Sequence, residues 1–254
     1  KRADGPYMKG KVWPGECNFP DYTNPVVREW WAGLFKELIS DIGVKGVWND
    51  MNEPAVMEVP NKTFPMDVRH DYDGNPCSHR KAHNIYGTQM ARATYHGVKR
   101  FAYPKRPFVI TRSAYAGAQR YSSSWTGDNV ASWEHLWIAN IQMQRMSISG
   151  MGFTGSDIGG FAEQPSGELY ARWIQLGVFH PFCRTHSSGD HGDQEPWAFD
   201  EEVTNIIRKF VNLRYQLLPY LYTMFWQYIE QGIPMLKPLV YYDQDDIQTH
   251  YRND

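Results

Sequence analysis

The chain has 254 residues and carries 26 lysines and arginines against 28 acidic residues, so its formal net charge is −2. The two signs are interspersed, which argues against nucleic acid or a membrane surface as a partner. The longest apolar stretch, residues 217–228, is too short to cross a bilayer and contains Pro219. The length suits one barrel-sized domain with a large core. The sequence leaves open whether the protein forms a homo-oligomer.

The three cysteines, Cys17, Cys77 and Cys183, are widely separated and odd in number. This pattern fits neither a disulfide framework nor a zinc site. We therefore expect reduced thiols, which favours a cytoplasmic location, although the localisation is otherwise unknown.

The first predicted helix covers residues 25–42. Asn24 is a suitable N-cap, Pro25 suits the first turn, and Gly43 is a suitable stop. At helical spacing, one face of this helix collects five apolar residues: Val26, Trp30, Leu34, Leu38 and Ile42. A strand at 44–48 and a long polar loop at 55–80 follow, and a loop of that length inside a compact domain is usually functional.

Strand and helix patterns alternate along the rest of the chain. The predicted elements are a helix near 82–103, strands at 107–111 and just before 128, a helix over 132–149, a strand ending at 153–157, a helix near 167–178, and a last helix over 201–231 that is kinked or split at Pro219. This alternation predicts an α/β architecture with a parallel sheet.

Two strands end on acidic residues beside tryptophan. The apolar run from Val44 leads to Asp50, and a second short strand leads through Trp125 to Asp128. In strand–helix barrels the carboxyl ends of strands carry the catalytic side chains. A glycosidase needs two carboxylates that flank the scissile bond, but the same pattern also fits a metal-dependent hydrolase. The structural alternative is that each Asp caps the turn or helix that follows it, a role that Asn129 fills equally well.

Seven segments, in order, give the chain a resemblance to glycoside hydrolase family 31, and within it to the α-glucosidases. These segments are WPG at 13–15 with FPD at 19–21, WNDMNEP at 48–54, TRS at 111–113, WTGDN at 125–129, GSDIGGF at 155–161, FCRTH at 182–186 and EPW at 195–197. Together they cover almost the whole chain.

The resemblance implies a (β/α)₈ TIM barrel, of which this sequence holds about strands three to eight over residues 1–232. These strands are expected to end at Trp13, Asp50, Arg112, Asp128, Asp157 and His186. Residues 233–254 are expected to begin a C-terminal β-sandwich domain. The chain is therefore expected to be a piece of a longer polypeptide and to be inactive alone.

The resemblance also implies roles for particular residues. Asp50 corresponds to the nucleophile and Asp128 to the general acid/base of a retaining, exo-acting α-glucosidase that needs no cofactor and takes α-glucoside oligosaccharides. The implied sugar-binding residues are Trp13, Trp48, Met51, Arg112, Trp125, Asp157, Phe161 and His186. Glu53 and Arg184 are implied to support them from behind, with Arg184 pairing with Asp157.

Other functions remain open at this level. A transglucosylase of the same family differs mainly in its acceptor, and an inactive sugar-binding fragment would not need both Asp50 and Asp128. Residues 186–193 contain two His and two Asp, but their spacing is not that of a zinc protease helix and the glycines indicate a mobile loop. No metal site is therefore predicted.

Overall fold

The structure is a computed structural model that describes residue 5 and residues 7–252. The chain folds as two compact units, Lys1–Ser124 and Trp125–Asp254. All three cysteines are free thiols. Among the described residues, no helix combines the length and the apolar character that a membrane crossing requires.

The first unit combines short strands with two packed helices. Its strands are β1 (Lys9–Val12), β2 (Gly15–Asn18), β3 (Val47–Asn49), β4 (Arg69–His70), β5 (Cys77–Ser78), β6 (Val109–Thr111) and β7 (Ser123–Trp125), the last of which ends at the unit boundary. Its helices are α1 (Pro25–Gly33), a π-helical turn (Glu37–Asp41), α2 (His79–Ala102) and a 3₁₀ turn (Ala118–Arg120).

A parallel sheet forms the centre of this unit. Strand β6 pairs with β3 on one side, where Trp48 faces Ile110, and with β7 on the other, where Thr111 faces Ser124. Because the three strands run in the same direction, their carboxyl ends share one edge. Asp50 and Arg112 directly follow two of these ends.

Helix α1 is shorter than the sequence predicts, and its predicted apolar face is exposed. After Gly33 the backbone tightens, since Phe35 N–H donates to Ala32 O, and then widens into the π turn. This change of helical period brings Phe35 and Ile39 into the core. The residues of the predicted face are at least 42 % exposed, namely Val26, Trp30, Leu34, Leu38 and Ile42.

Segment 55–80 is not wholly irregular, because β4 and β5 form a hairpin within it. A chain of side chains fixes this hairpin to the start of α2. Asp21 Oδ1 lies 3.1 Å from His70 Nδ1, His70 Nε2 lies 2.9 Å from His79 Nδ1, and His79 Nε2 lies 3.0 Å from His83 Nδ1. A carboxylate only accepts hydrogen bonds, so His70 donates to Asp21 from Nδ1.

Two members of this hydrogen-bonded series, Asp21 and His79, titrate far from their ordinary values. Although burial raises the pKa of Asp21, hydrogen bonds from His70, Thr23 and the Asp71 backbone prevail and lower it to about 2. Burial, followed by the charges of His70 and His83, lowers the pKa of His79 to about 3. The folded chain therefore keeps Asp21 ionised and His79 neutral over a wide pH range.

The second unit is built on longer helices. Its elements are α3 (Trp133–Ile148), β8 (Thr154–Gly155), β9 (Asp157–Ile158), α4 (Gly167–Gly177), β10 (Arg184–Thr185), a 3₁₀ turn (Pro196–Ala198), α5 (Glu201–Gln231) and two 3₁₀ turns (Leu239–Tyr241 and Ile247–Tyr251). Strands β9 and β10 pair in parallel, with Asp157 opposite Arg184. The core lies where α4 packs on β9 and α5, around Trp173, Ile158 and Ile207.

Two predictions for the end of the chain differ from the structure or are not visible in it. Helix α5 runs unbroken through Pro219, so the predicted split does not occur. Residues 232–252 contain no strand, so the β-sandwich predicted to begin at 233 is not visible in this part of the chain and stays a prediction.

We expect His79→Gln to weaken the pH dependence of α2 stability. The unfolded chain takes up a proton on this histidine near its ordinary pKa of 6.5, whereas the folded chain does so only near pH 3. Stability therefore falls as the pH drops through this window, with a slope approaching about 1.4 kcal/mol per pH unit. Amide hydrogen exchange of α2 in the complete protein, corrected for intrinsic rates, measures this slope.

His191→Gln is the matched control, because that side chain lies in an exposed loop. It should keep the wild-type slope. Equal slopes in the wild type and in His79→Gln would show that the histidine chain does not hold a neutral His79.

Candidate active site

Asp50 follows directly on β3, and its carboxylate is held by an arginine from the neighbouring strand. Arg112 Nη1 lies 3.2 Å from Asp50 Oδ1. The Asp50 side chain is 39 % exposed and that of Arg112 is 17 % exposed. The contact recorded for the Asp50 carboxylate is thus an ion pair, which argues against the alternative in which Asp50 caps the next turn.

The same guanidinium also binds Glu53 in a fork. Arg112 Nε and Nη2 donate to the two oxygens of Glu53 at 2.8 and 3.0 Å, and Nη2 also donates to Met51 Sδ at 2.9 Å. A bidentate pair of this kind fixes the plane of the guanidinium. Its remaining nitrogen is thereby directed at Asp50.

Asn52 locks the two strand ends together from behind. Its Nδ2 donates to Thr111 Oγ1 at 2.8 Å, and its Oδ1 accepts from Ser113 N at 3.0 Å. Arg112 N also donates to Asn49 O at 3.0 Å. Asn52 is 2 % exposed. Asn52 lies in the WNDMNEP segment, but the sequence did not predict this role, which only the partner strand reveals.

A second buried chain connects the end of β3 to both helices. Trp31 Nε1 on α1 donates to Thr94 Oγ1 on α2 at 2.9 Å, and Thr94 Oγ1 donates to Asn49 Oδ1 at 3.1 Å. Asn49 and Thr94 are at most 2 % exposed. The residue before Asp50 is therefore fixed by the helix layer as well as by the sheet.

In the second unit, Asp128 is followed by a buried anchor. Asn129 Nδ2 donates to Asp157 O at 3.0 Å, and Asn129 Oδ1 accepts from Phe161 N at 2.9 Å. Helix α3 is capped by Ser132, whose side chain accepts from His135 N. Neither Asp128 nor Asn129 is therefore the cap of α3, and Asp128 is exposed.

Asp157 is held by an ion pair in the second unit, and its implied role as a sugar ligand stays a prediction. Its side chain is fully buried, and Oδ1 lies 2.6 Å from Arg184 Nη2. The Arg184 guanidinium also lies 5.3 Å from the ring centre of Trp125 and 5.2 Å from that of Phe182. Asp157 therefore orients Arg184, and the expected pairing of these two residues is present.

Phe161 and His186 lie together in this unit, with ring centres 5.2 Å apart. Ser188 N donates to Phe161 O at 2.9 Å and so ties the loop after β10 to the loop after β9. Arg214 on α5 holds the segment that precedes β10. Its guanidinium donates to the backbone carbonyls of Val178, His180 and Pro181.

Trp13 is not at the end of a barrel strand. It lies in the turn between the antiparallel strands β1 and β2 and is 80 % exposed. The expectation was wrong because a short alternation of apolar and polar residues before Trp-Pro-Gly is typical of a barrel strand and of a hairpin strand, so the pattern does not distinguish them. Trp48, in contrast, lies on β3 and is 42 % exposed.

The structure thus groups the predicted residues by unit. Trp48, Asp50, Met51, Glu53 and Arg112 belong to the first unit, and Trp125, Asp128, Asp157, Phe161, Arg184 and His186 belong to the second. Within residues 5 and 7–252, no three His, Cys, Asp or Glu side chains are placed to hold a metal ion.

Comparison with known proteins identifies the class. Residues 1–224 match the sequence model of the glycosyl hydrolases family 31 TIM-barrel domain. Alpha-glucosidase 2 of Bacillus thermoamyloliquefaciens is 46 % identical over 252 residues, which are 98 % of this chain and 32 % of that protein. Human neutral alpha-glucosidase AB is 42 % identical over 249 residues, 96 % of this chain and 26 % of that protein.

A solved structure agrees with these sequences. The glucosidase II alpha subunit in its alpha3-Glc2-bound form superimposes with a TM-score of 0.90 at 40 % identity, over 96 % of this chain and 26 % of that one. The chain is thus a glycoside hydrolase domain of the TIM-barrel type. It belongs to glycoside hydrolase family 31, which confirms the resemblance seen in the sequence, and it spans about a quarter to a third of the relatives it matches.

We expect Gly87→Ala to destabilise the fold around Asp50 and Arg112. A Cβ atom at Gly87 on α2 would lie 2.7 Å from Ser113 O and 2.9 Å from Asn52 O, both of them backbone atoms. Relieving such an overlap requires a backbone shift and costs about 1–3 kcal/mol. Urea unfolding of the complete protein measures the loss.

Gly33→Ala is the control, since a Cβ atom there meets nothing within 4 Å. It should be neutral or stabilise by up to about 1 kcal/mol, because alanine favours the helix. If both variants are equally stable, α2 does not press on the segments that carry Asp50 and Arg112.

Proposed function

We propose that this chain provides the catalytic machinery of a retaining, exo-acting α-glucosidase, which releases terminal glucose from α-linked oligosaccharides by double displacement. The observation that carries the proposal is the Arg112 fork. It holds the Asp50 carboxylate at the carboxyl end of a parallel strand, in a chain that belongs to a glycosidase family. The names of the relatives agree with this choice of substrate.

Asp50 is the proposed nucleophile. In the first step one of its oxygens attacks the anomeric carbon of the terminal glucose, and the bond to the glycosidic oxygen breaks. Arg112 and the fixed residues 49 and 52 hold this oxygen in place, so little conformational freedom remains to be lost on the way to the transition state.

Asp128 is the proposed acid and base. It gives its proton to the departing oxygen in the first step and accepts a proton from water in the second, when that water attacks the anomeric carbon and releases Asp50. Its exposure supports this assignment, as does the capping of α3 by Ser132, and the buried Asn129 beside it fixes the backbone.

The remaining side chains divide into those proposed to touch the sugar and those that support them. Arg112 and His186 are suited to hydroxyl groups, and Trp48, Met51 and Phe161 to the apolar faces of the ring. Glu53 acts through Arg112, and Asp157 and Trp125 act through Arg184.

We expect Asp50→Asn to remove nearly all turnover, because an amide cannot form the glucosyl ester. Asp128→Asn should slow maltose hydrolysis far more than hydrolysis of an aryl α-glucoside with an activated phenol, which needs little protonation on leaving. Steady-state kinetics of the complete protein on both substrates measure the difference.

Asp245→Asn is a matched control at an exposed carboxylate and should leave both activities unchanged. Equal losses on the two substrates in Asp128→Asn would remove this residue from the role of acid.

We expect the glucose released by the complete protein to retain the α configuration. Double displacement inverts the anomeric centre twice, and it requires carboxyl groups about 5–5.5 Å apart. Proton NMR at early times, before mutarotation, distinguishes α-glucose from β-glucose. Initial formation of the β-anomer would indicate a single displacement. Disaccharide products at high substrate concentration would instead indicate the transglucosylase alternative.

We expect residues 1–254, expressed alone, to release no glucose from an aryl α-glucoside. The chain spans about a quarter to a third of its relatives, and barrel side-chain layers draw on strands around the whole ring. Glucose release and near-ultraviolet circular dichroism measure activity and packing. A folded, active product would show that the described residues suffice for the site.

A further inference from the structure

A cavity of about 410 Å³ lies between α1 and α2 in the first unit. Its volume is within the range of small-molecule sites, but its lining is unusually basic. The lining consists of Pro25, Arg28, Glu29, Ala32, Arg92, Ala93, His96, Lys99 and Arg100. Four of these side chains are permanent cations and one is an acid.

Two of the four cations already have carboxylate partners. Arg28 Nη2 lies 2.6 Å from Asp73 Oδ1, and Arg100 Nη1 lies 2.7 Å from Glu29 Oε1. The other two, Arg92 and Lys99, form no ion pair with any described residue. The cavity therefore holds two uncompensated positive charges on one face of α2.

Arg92 is the more deeply placed of these two. Its Nε is buried and has no hydrogen-bond partner within the described part of the chain. Its Nη1 reaches Gln89 Oε1 only at 3.5 Å, and the guanidinium lies 6.0 Å from the ring centre of Tyr121. Neither contact offsets the charge of the guanidinium, and an anion in the cavity would do so.

The pKa of His96 reflects the positive charges around the cavity. Its pKa is lowered first by burial and then by the charges of Arg92, Lys99, Arg100 and Arg28. Glu29 is the single acid that lines the cavity. An anion bound between these groups would offset the repulsion and favour the protonated imidazole.

We propose that this cavity is a binding site for a dianionic oxyanion, such as the phosphoryl group of a small phosphate ester, with Arg92 and Lys99 as its main ligands. The planar fork of arginine matches phosphate geometry, and lysine adds a point charge. A neutral oligosaccharide offers no charge to this site, so the ligand differs from the proposed substrate. The inference does not depend on the proposed activity.

The test is isothermal titration calorimetry of the complete protein with glycerol 3-phosphate, inorganic phosphate and glycerol. We expect both phosphates to bind and glycerol not to bind. Tighter binding of the ester assigns the site to an esterified phosphoryl group, whereas equal binding assigns it to free phosphate. Absence of binding by both phosphates overturns the proposal.

Variants locate the site. Arg92→Gln combined with Lys99→Gln should weaken phosphate binding by at least about ten- to a hundredfold, which is the effect of losing one charged hydrogen bond. Lys36→Gln combined with Lys105→Gln removes the same charge from exposed positions and should leave the affinity unchanged. Equal loss in the two double variants would assign the effect to net charge alone. The single variant Lys99→Gln, at an exposed position, tests the site independently of the buried Arg92.

A third measurement uses sulfate, whose charge does not change between pH 7.5 and 5.5. Sulfate should bind more tightly at the lower pH because the bound anion favours protonation of His96, whereas Arg28, Arg92, Lys99 and Arg100 stay cationic and Glu29 stays paired with Arg100. His96→Gln should abolish this pH dependence. A dependence that persists in His96→Gln would show that the anion binds elsewhere.

Discussion

The geometry of the first unit depends on how one guanidinium is shared. Glu53 and the sulfur of Met51 fix the plane of the Arg112 guanidinium. The same guanidinium also forms the ion pair with Asp50. Because all these residues follow the ends of two paired strands, the sheet register determines whether the contacts exist. A shift of one residue between β3 and β6 would turn Arg112 to the other face of the sheet and leave Asp50 without its cation.

The layers behind the sheet preserve that register. Asn52 binds Thr111 and the backbone of Ser113, and Thr94 binds Asn49, so each strand end is tied to a neighbour by a buried hydrogen bond. Such bonds are valuable chiefly because breaking one leaves a polar group buried without a partner. The second unit uses the same device, with Asn129 binding the backbone on both sides of the loop that leads to Phe161.

The sequence predicted the alternation of elements and most helix positions well. Helix α3 and α5 have the predicted extents within a residue or two, because Ser132 and Asp200 are strong caps and Gly232 is a strong stop. The family motifs supplied the candidate residues, and the contact of Arg184 with Asp157 is the pairing that the resemblance implied.

Other features of the structure could not be predicted from residue patterns in a single sequence. The early end of α1 depends on a change of helical period that packing of Phe35 and Ile39 imposes. The turn that holds Trp13 and the complete burial of Asp157 depend on which strand lies alongside. The contact of His79 with His83 has the i, i+4 spacing of a helix, but the contact of His70 with His79 depends on the hairpin that packs against the start of α2, so only the folded chain reveals the whole series.

The thioether contact of Arg112 has a chemical consequence of its own. Met51 accepts from Arg112 through a weak sulfur acceptor, adjacent in sequence to the carboxylate that shares the same guanidinium. Oxidation of this methionine to its sulfoxide would replace that sulfur contact with a polar S=O oxygen, a much stronger acceptor. The sulfoxide would then compete with Asp50 for the guanidinium. A single oxygen transfer to this sulfur would thereby redistribute the hydrogen bonds around the carboxylate.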